Sequence, residues 1–172
     1  MTTFAVLATG PSMTAEIAAS VQGRCGVVAV SDSFRLAPWA DALVSTDGKW
    51  WQHHPDAANF AGEKFTGAPD FVTLDASIQR LSFGTNINSG LLAMHAAVKL
   101  GATRLLLLGF DMHGSHYFGP HPAPLKNTSA DRFEAFQEQF KRFKPRGVEI
   151  VNCTVGSKLR AYRIGDLACE LG

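Results

Sequence analysis

The sequence predicts a three-layer α/β/α domain on a mostly parallel central sheet, and three observations carry that expectation. Short apolar runs alternate with longer amphipathic segments, the order in which βαβ units are built. The runs end repeatedly in small polar residues, as strands do where a parallel sheet opens onto a ligand. One run, Arg104-Leu-Leu-Leu-Leu108, is apolar at every position after the first, so it must be central and covered on both faces.

The first run, Phe4-Ala-Val-Leu-Ala8, breaks at Thr9-Gly10-Pro11-Ser12, and a helix follows from about Thr14 to Val21. A strand, a tight turn and a helix N-terminus thus open the chain. The second run, Gly26 to Val30, ends in Ser31-Asp32-Ser33; the third, Asp41 to Ser45, ends in Thr46-Asp47-Gly48. From Trp50 to Thr85 the pattern is interrupted by Gly62, Gly67, Pro69 and Gly84, and Phe71-Val-Thr-Leu74 reads as a further strand. Leu91, Leu92, Met94, Ala97, Val98 and Leu100 recur at helical spacing, which predicts a helix from Ser89 to Leu100 closed by Gly101.

Residues 111–127 are rich in His, Pro and Gly and have no periodicity, which favours a functional lid over a plain connection. Thr128 or Ser129 then caps a helix with Phe133, Phe136, Phe140 and Phe143 on one face, a spacing that assigns all four to the core. Val148-Glu-Ile-Val151 is the last expected strand and leads through Asn152-Cys-Thr154 to a short C-terminal helical segment. No repeat, low-complexity tract or linker divides the chain. One Rossmann-like nucleotide-binding domain over residues 1–172, with a lid at 111–127, is the expectation.

The bulk numbers agree. A chain of 172 residues is long enough to bury most of the surface its unfolded form exposes. With 46% hydrophobic and 18% charged residues, a disordered or fibrous chain is excluded. Basic and acidic residues number 16 and 15 with no clustered basic stripe, so nucleic acid is not expected as the partner. Cys25, Cys153 and Cys169 lie far apart without metal or redox spacing, which points to reduced thiols in a cytoplasmic setting. The apolar start is shorter than a signal h-region, and no run approaches the roughly 20 residues of a membrane span. Trp39, Trp50 and Trp51 serve either the core or the face of a homo-oligomer.

The polar strand ends should converge on one site. Gly10-Pro11-Ser12 can bring backbone N–H groups and a hydroxyl to an anion at the start of a helix, or be a turn shaped by Gly and Pro. Thr9, Ser31 and Asp32 end the neighbouring strands. Asn88-Ser89-Gly90 can bind a second part of the same ligand, or cap the helix that follows. Asp47 and Asp111 each follow a strand and can hold ribose hydroxyls or a divalent cation, or act as turn residues. His113, His116 and His121 lie in the lid with Tyr117 and offer a base near neutral pH and an aromatic hydroxyl. Their spacing matches no zinc pattern, and no G-x-S-x-G elbow follows any strand, which disfavours a serine hydrolase.

The ordered set of these pieces resembles bacterial sialyltransferases of the Campylobacter type and the related MptE-like 6-hydroxymethylpterin diphosphokinases. Gly10-Pro11-Ser12 resembles the family's N-terminal nucleotide loop, Asn88-Ser89-Gly90 its Ser-Gly helix start, and Gly109-Phe110-Asp111 its Gly-Ile-Asp after the central strand. Gly114-Ser-His-Tyr117, Lys126-Asn-Thr128 and Asn152-Cys-Thr-Val-Gly-Ser157 with Leu159 follow in the same order. The resemblance implies a transferase acting on a CMP-sugar-like nucleotide-sugar and a hydroxyl acceptor. Ser89 and Gly90 would contact the nucleotide, Tyr117 the leaving phosphate, and a lid histidine would be the base. The aligned base position falls near Pro124, so His121 is the nearest candidate and His116 the next. Where the family has asparagines at three strand ends, this chain has Thr9, Ser31 and Asp47. A carboxylate at Asp47 must meet a sugar hydroxyl, a base amino group or a cation, and the cation would suit magnesium-dependent diphosphoryl transfer from ATP. A binding module that keeps the pocket without a working base is the third expectation.

Overall fold

The computed structural model describes residues 1–68, 76–84 and 86–172, and the strand expected at Phe71–Leu74 lies outside them. Among the described residues, β1 (Thr3–Leu7), β2 (Gly26–Val30), β3 (Ala42–Ser45), β4 (Glu63–Thr66), β5 (Ile78–Arg80), β6 (Arg104–Leu108), β7 (Glu149–Asn152) and β8 (Arg163–Ile164) form one sheet. The strand order is β5-β4-β3-β2-β1-β6-β7-β8, and every pairing is parallel. The helices are α1 (Ala15–Ser20), α2 (Gly48–His53), α3 (Ser89–Lys99), α4 (Ala130–Arg142) and α5 (Leu167–Leu171). No helix among the described residues is long and apolar enough to cross a membrane.

The three layers follow from strand alternation. Phe4 and Val6 of β1, with Leu105 and Leu107 of β6, pack in one core with α3, with Phe140 of α4 and with Phe143 just after it. Ala5 and Leu7, with Leu106 and Leu108, pack in the other with Ala18 of α1 and Trp50 and Trp51 of α2. Successive side chains point to opposite faces, so a run of leucines feeds both cores. Trp50 and Trp51 are 2% and 5% exposed, which settles them in the core and takes them off any oligomer face. Their indole N–H groups donate to Asp32 Oδ2 at 2.8 Å and to the Ser45 carbonyl at 3.1 Å, as buried indoles require.

Caps fix the helix starts. Thr14 accepts from the Ile17 N–H, Asp47 from Lys49, and Asn88 from Leu91, while Ser129 begins α4 without a side-chain bond. Gly101, at φ +96°, ends α3 in the left-handed region that glycine adopts without cost. The four-phenylalanine stripe splits: Phe140 and Phe143 are buried, but Phe133 and Phe136 are only half-buried, because they line a cavity.

Candidate functional site

The sheet places its opening between β1 and β6. From β1 the chain builds β2 to β5 on one side, and from β6 it builds β7 and β8 on the other, so the crossovers diverge where these two strands end. There the two strand-end loops touch backbone to backbone: Ala8 N–H donates to Leu108 O at 2.8 Å and Gly10 N–H to Gly109 O at 3.0 Å. A Cβ on Gly10 would overlap the Asp111 carboxylate and the Gly109 carbonyl, and Gly109 sits at φ +74° against Ala8 O. Only glycines permit so close a crossing.

A cavity of about 260 Å³ opens at this point, near the lower end of the range for small organic ligands. Thr9, Gly10, Ser31, Thr46 and Asp47 supply its strand-end wall, and Asn88, Ser89 and Gly90 bring the start of α3. The lid contributes Asp111, Met112, His113, His116, His121 and Lys126; α4 contributes Arg132, Phe133 and Phe136. Ser31 and Met112 hold positive φ values of 46° and 59°, an unfavourable backbone for side-chain-bearing residues that gathers where a site is shaped. The Ser89 hydroxyl accepts from the Thr46 N–H at 3.0 Å and lies 2.9 Å from the Thr46 hydroxyl, which ties the end of β3 to the start of α3.

Four of the expected site residues stand outside the cavity lining. Pro11 packs against Gly114 of the lid. Ser12 donates its N–H to Asp111 Oδ1 at 3.2 Å and its hydroxyl to Asp111 Oδ2 at 2.9 Å, and lines a second, more apolar cavity on the far side of Gly109. The Tyr117 hydroxyl donates to the Asp32 carbonyl at 2.9 Å, and burial pushes its pKa up to about 12. The Asp32 carboxylate is buried and holds Trp50, with His54 Nε2 at 3.2 Å. His54 therefore turns inward from the end of α2.

A magnesium ion fits this donor set poorly. Both Asp111 oxygens are committed to Ser12, an Asp47 oxygen caps α2, and no group of three or more His, Cys, Asp or Glu among the described residues is arranged around a metal.

Electrostatics single out the histidines. The His116 Nδ1 lies 2.7 Å from the Thr9 hydroxyl, and its ring stacks on Phe118 at 5.0 Å and meets the His121 ring at 4.4 Å. Burial, helped by the neighbouring His121, drives His116 down to about 4, against the opposing pull of Asp32 and the Thr9 bond. Burial also lowers His121, with Asp32 and Asp47 pulling the other way. Both rings are neutral at pH 7, as a base at rest must be. The His121 ring has no hydrogen-bond partner among the described residues; only its backbone is held, by Asn127.

Lys126 and Arg132 line the same cavity, and neither has a carboxylate partner among the described residues. The Arg132 guanidinium lies 5.6 Å from the Phe136 ring centre. Arg132, with Thr46, Phe133 and Phe136, was not expected as a site residue, and Lys126 entered only as part of the Lys126-Asn-Thr128 resemblance. One signal was present: Arg132 is a cation in the first turn of α4, where the helix dipole disfavours it, and a broken local rule is a mark of function.

No protein-family model matches the chain, and no curated protein or solved structure shows significant similarity to it.

Proposed function

We propose that this cavity binds a nucleotide and that the protein is a transferase moving a glycosyl group from a CMP-sugar-like nucleotide-sugar to a hydroxyl acceptor, with His121 as general base. The observation that carries the reading is the lining itself: an imidazole that burial holds below its ordinary value, with no hydrogen-bond partner among the described residues, shares one small cavity with two cations that have no carboxylate partner among those residues. His121 takes the acceptor's proton as its oxygen bonds the sugar carbon, and the bond from that carbon to the phosphate breaks with its electron pair leaving on the phosphate oxygen. Lys126 and Arg132 stabilise that departing charge, where the sialyltransferase resemblance would use a tyrosine; Tyr117 is engaged with Asp32. The N–H groups at the start of α3 add to the field on the anion, and Asp47 suits the hydroxyls of a ribose.

The reading is tested by thermal unfolding with CMP, CDP, UDP and ATP, each with and without magnesium, followed by CMP release from CMP-sialic acid with a panel of sugar acceptors. A nucleotide at a hundred times its Kd adds about 2.7 kcal/mol of stability. Stabilisation by CMP, CMP release by the native chain, and its loss in His121→Ala support the proposal. CMP binding without release leaves a binding module; stabilisation by ATP only with magnesium favours diphosphoryl transfer. Release that survives both His121→Ala and His116→Ala removes the mechanism.

A further inference from the structure

Behind the cavity wall a set of contacts runs from a buried carboxylate to the base. Asp32 is 6% exposed: its Oδ2 accepts from the Trp50 indole at 2.8 Å, and Oδ1 lies 3.2 Å from His54 Nε2 and 3.7 Å from Arg35 Nε. Its carbonyl accepts the Tyr117 hydroxyl at 2.9 Å, and the Tyr117 N–H donates to the Thr9 carbonyl at 2.9 Å. The Thr9 hydroxyl in turn meets His116, whose ring packs on that of His121.

We propose that Asp32 and Tyr117 are positioning residues for His121: Tyr117 pins the lid to the ends of β1 and β2, and Asp32 places its carboxylate behind the cavity wall, linked toward the base through Tyr117, Thr9 and His116, without touching the ligand. The inference rests on the reading of His121 as base.

Two physical requirements meet in this arrangement. A stretch with no repeating backbone bonds has many conformations to lose, so a ring held in place on it needs anchors elsewhere. Tyr117 supplies two of them, and the paired bonds between His121 and Asn127 close the segment beyond. The second requirement is electrostatic. The same burial that keeps His121 neutral at rest opposes the imidazolium it becomes on taking a proton, and a nearby carboxylate offsets that opposition. Around His121 are His116 in the lid, His54 after α2, Asp47 after β3 and Asp32 after β2, with the cations Lys126 and Arg132 on the wall of the same cavity; the Asp32 and Asp47 carboxylates oppose the lowering by burial. The buried Asp32 carboxylate is satisfied by the Trp50 indole and His54.

The test is a ligand-free one: histidine ring resonances of the full chain followed by NMR against pH in the native protein, Asp32→Asn and Tyr117→Phe. In Asp32→Asn the His121 midpoint falls by about half a pH unit or more, because an attractive charge is lost while shape is kept. In Tyr117→Phe the ring-to-ring contact between His116 and His121 is lost and the His116 midpoint rises as the lid loosens into water. A His121 midpoint that stays put in folded Asp32→Asn overturns the proposal. Should Asp32→Asn fail to fold, Tyr117→Phe decides: a retained ring contact with an unmoved His116 midpoint overturns it. These readouts need no substrate. Shifted midpoints in a chain that releases no CMP reject the transferase reading and leave the positioning roles standing, whereas normal CMP release with unmoved midpoints rejects the positioning roles alone.

Discussion

Ser12 and Asp111, 99 residues apart, are bound twice: the Ser12 N–H and hydroxyl both donate to the Asp111 carboxylate, at 3.2 and 2.9 Å. This clamp holds the loop after β1 to the loop after β6 at the point where the site opens. Asp111 is 3% exposed, and burial raises its pKa above the ordinary carboxylate value against the pull of the two bonds. Ser12→Ala is expected to cost about 1–3 kcal/mol, the penalty for removing a hydrogen bond to a buried carboxylate. The pH dependence has a defined sign. With the folded value raised, Asp111 favours the fold when protonated, and that contribution is lost as pH rises through the folded value. Urea unfolding of Asp111→Asn beside the native chain checks this: the difference should shift in favour of the variant as pH increases through the carboxylate range.

Gly109 gives the second expectation. A side chain there would occupy a left-handed φ of +74° and meet Met13 and the Ala8 carbonyl. Gly109→Ala should destabilise by at least roughly 1–3 kcal/mol from backbone strain alone. Because the close approach of the loops after β1 and β6 lines the cavity, nucleotide-induced stabilisation should shrink with it, as paired denaturation curves with and without CMP would show.

What the sequence made legible is what local patterns encode. The continuous apolar runs gave β1, β2, β3 and β6, the helical spacing and Gly101 gave α3, and the polar strand ends located the cavity. The edges were harder. Glu63-Lys-Phe-Thr66 carries a lysine that looks solvent-facing but is buried, its ammonium bound to the Ala58 and Phe60 carbonyls, so β4 lacks a strand's signature. β8 is two exposed residues whose place comes from pairing with β7. In the site, the Tyr117 hydroxyl finds a backbone carbonyl 85 residues away, and the two residues bound to Asp111 and Tyr117 are chosen by the fold, not by neighbours in the chain. Periodicity also put four phenylalanines on one face without telling where along α4 the core stops.

His116 makes stability fall in acid. Its folded value, about 4, lies below the ordinary imidazole value of roughly 6.5. A lowered value means the neutral ring favours the fold above the ordinary value, and that contribution is lost progressively as pH drops toward 4. His116→Gln should therefore show a shallower loss of stability across that window in urea titrations, once compared with the native chain at each pH.

Under the proposed mechanism, His121 sets the acid limb of CMP release. Its neutral form takes the proton, and burial lowers its midpoint, so CMP release should persist as pH falls past the ordinary imidazole value and drop only below it. His121→Ala should lower the rate by about 10²–10⁴-fold and abolish that limb. A pH profile of CMP release is the measurement, and a midpoint above the ordinary value would contradict the assignment.

The two ends of the α4 stripe should separate folding from binding. Phe140 is 1% exposed and packs edge-on to Phe110 with ring centres 5.8 Å apart, so Phe140→Ala should cost about 3–5 kcal/mol through lost burial and a cavity in the core. Phe133 is half-buried and lines the site, so Phe133→Ala removes much less buried surface and should cost about 1 kcal/mol or less. Its effect belongs to the ligand: the widened wall should weaken CMP binding, because an apolar contact is exchanged for water, while leaving the urea midpoint nearly unmoved. Denaturation and CMP titration of both variants distinguish the two roles. Equal loss of stability from both would mean that all of α4 is core and that the wall assigned to Phe133 and Phe136 is a packing surface.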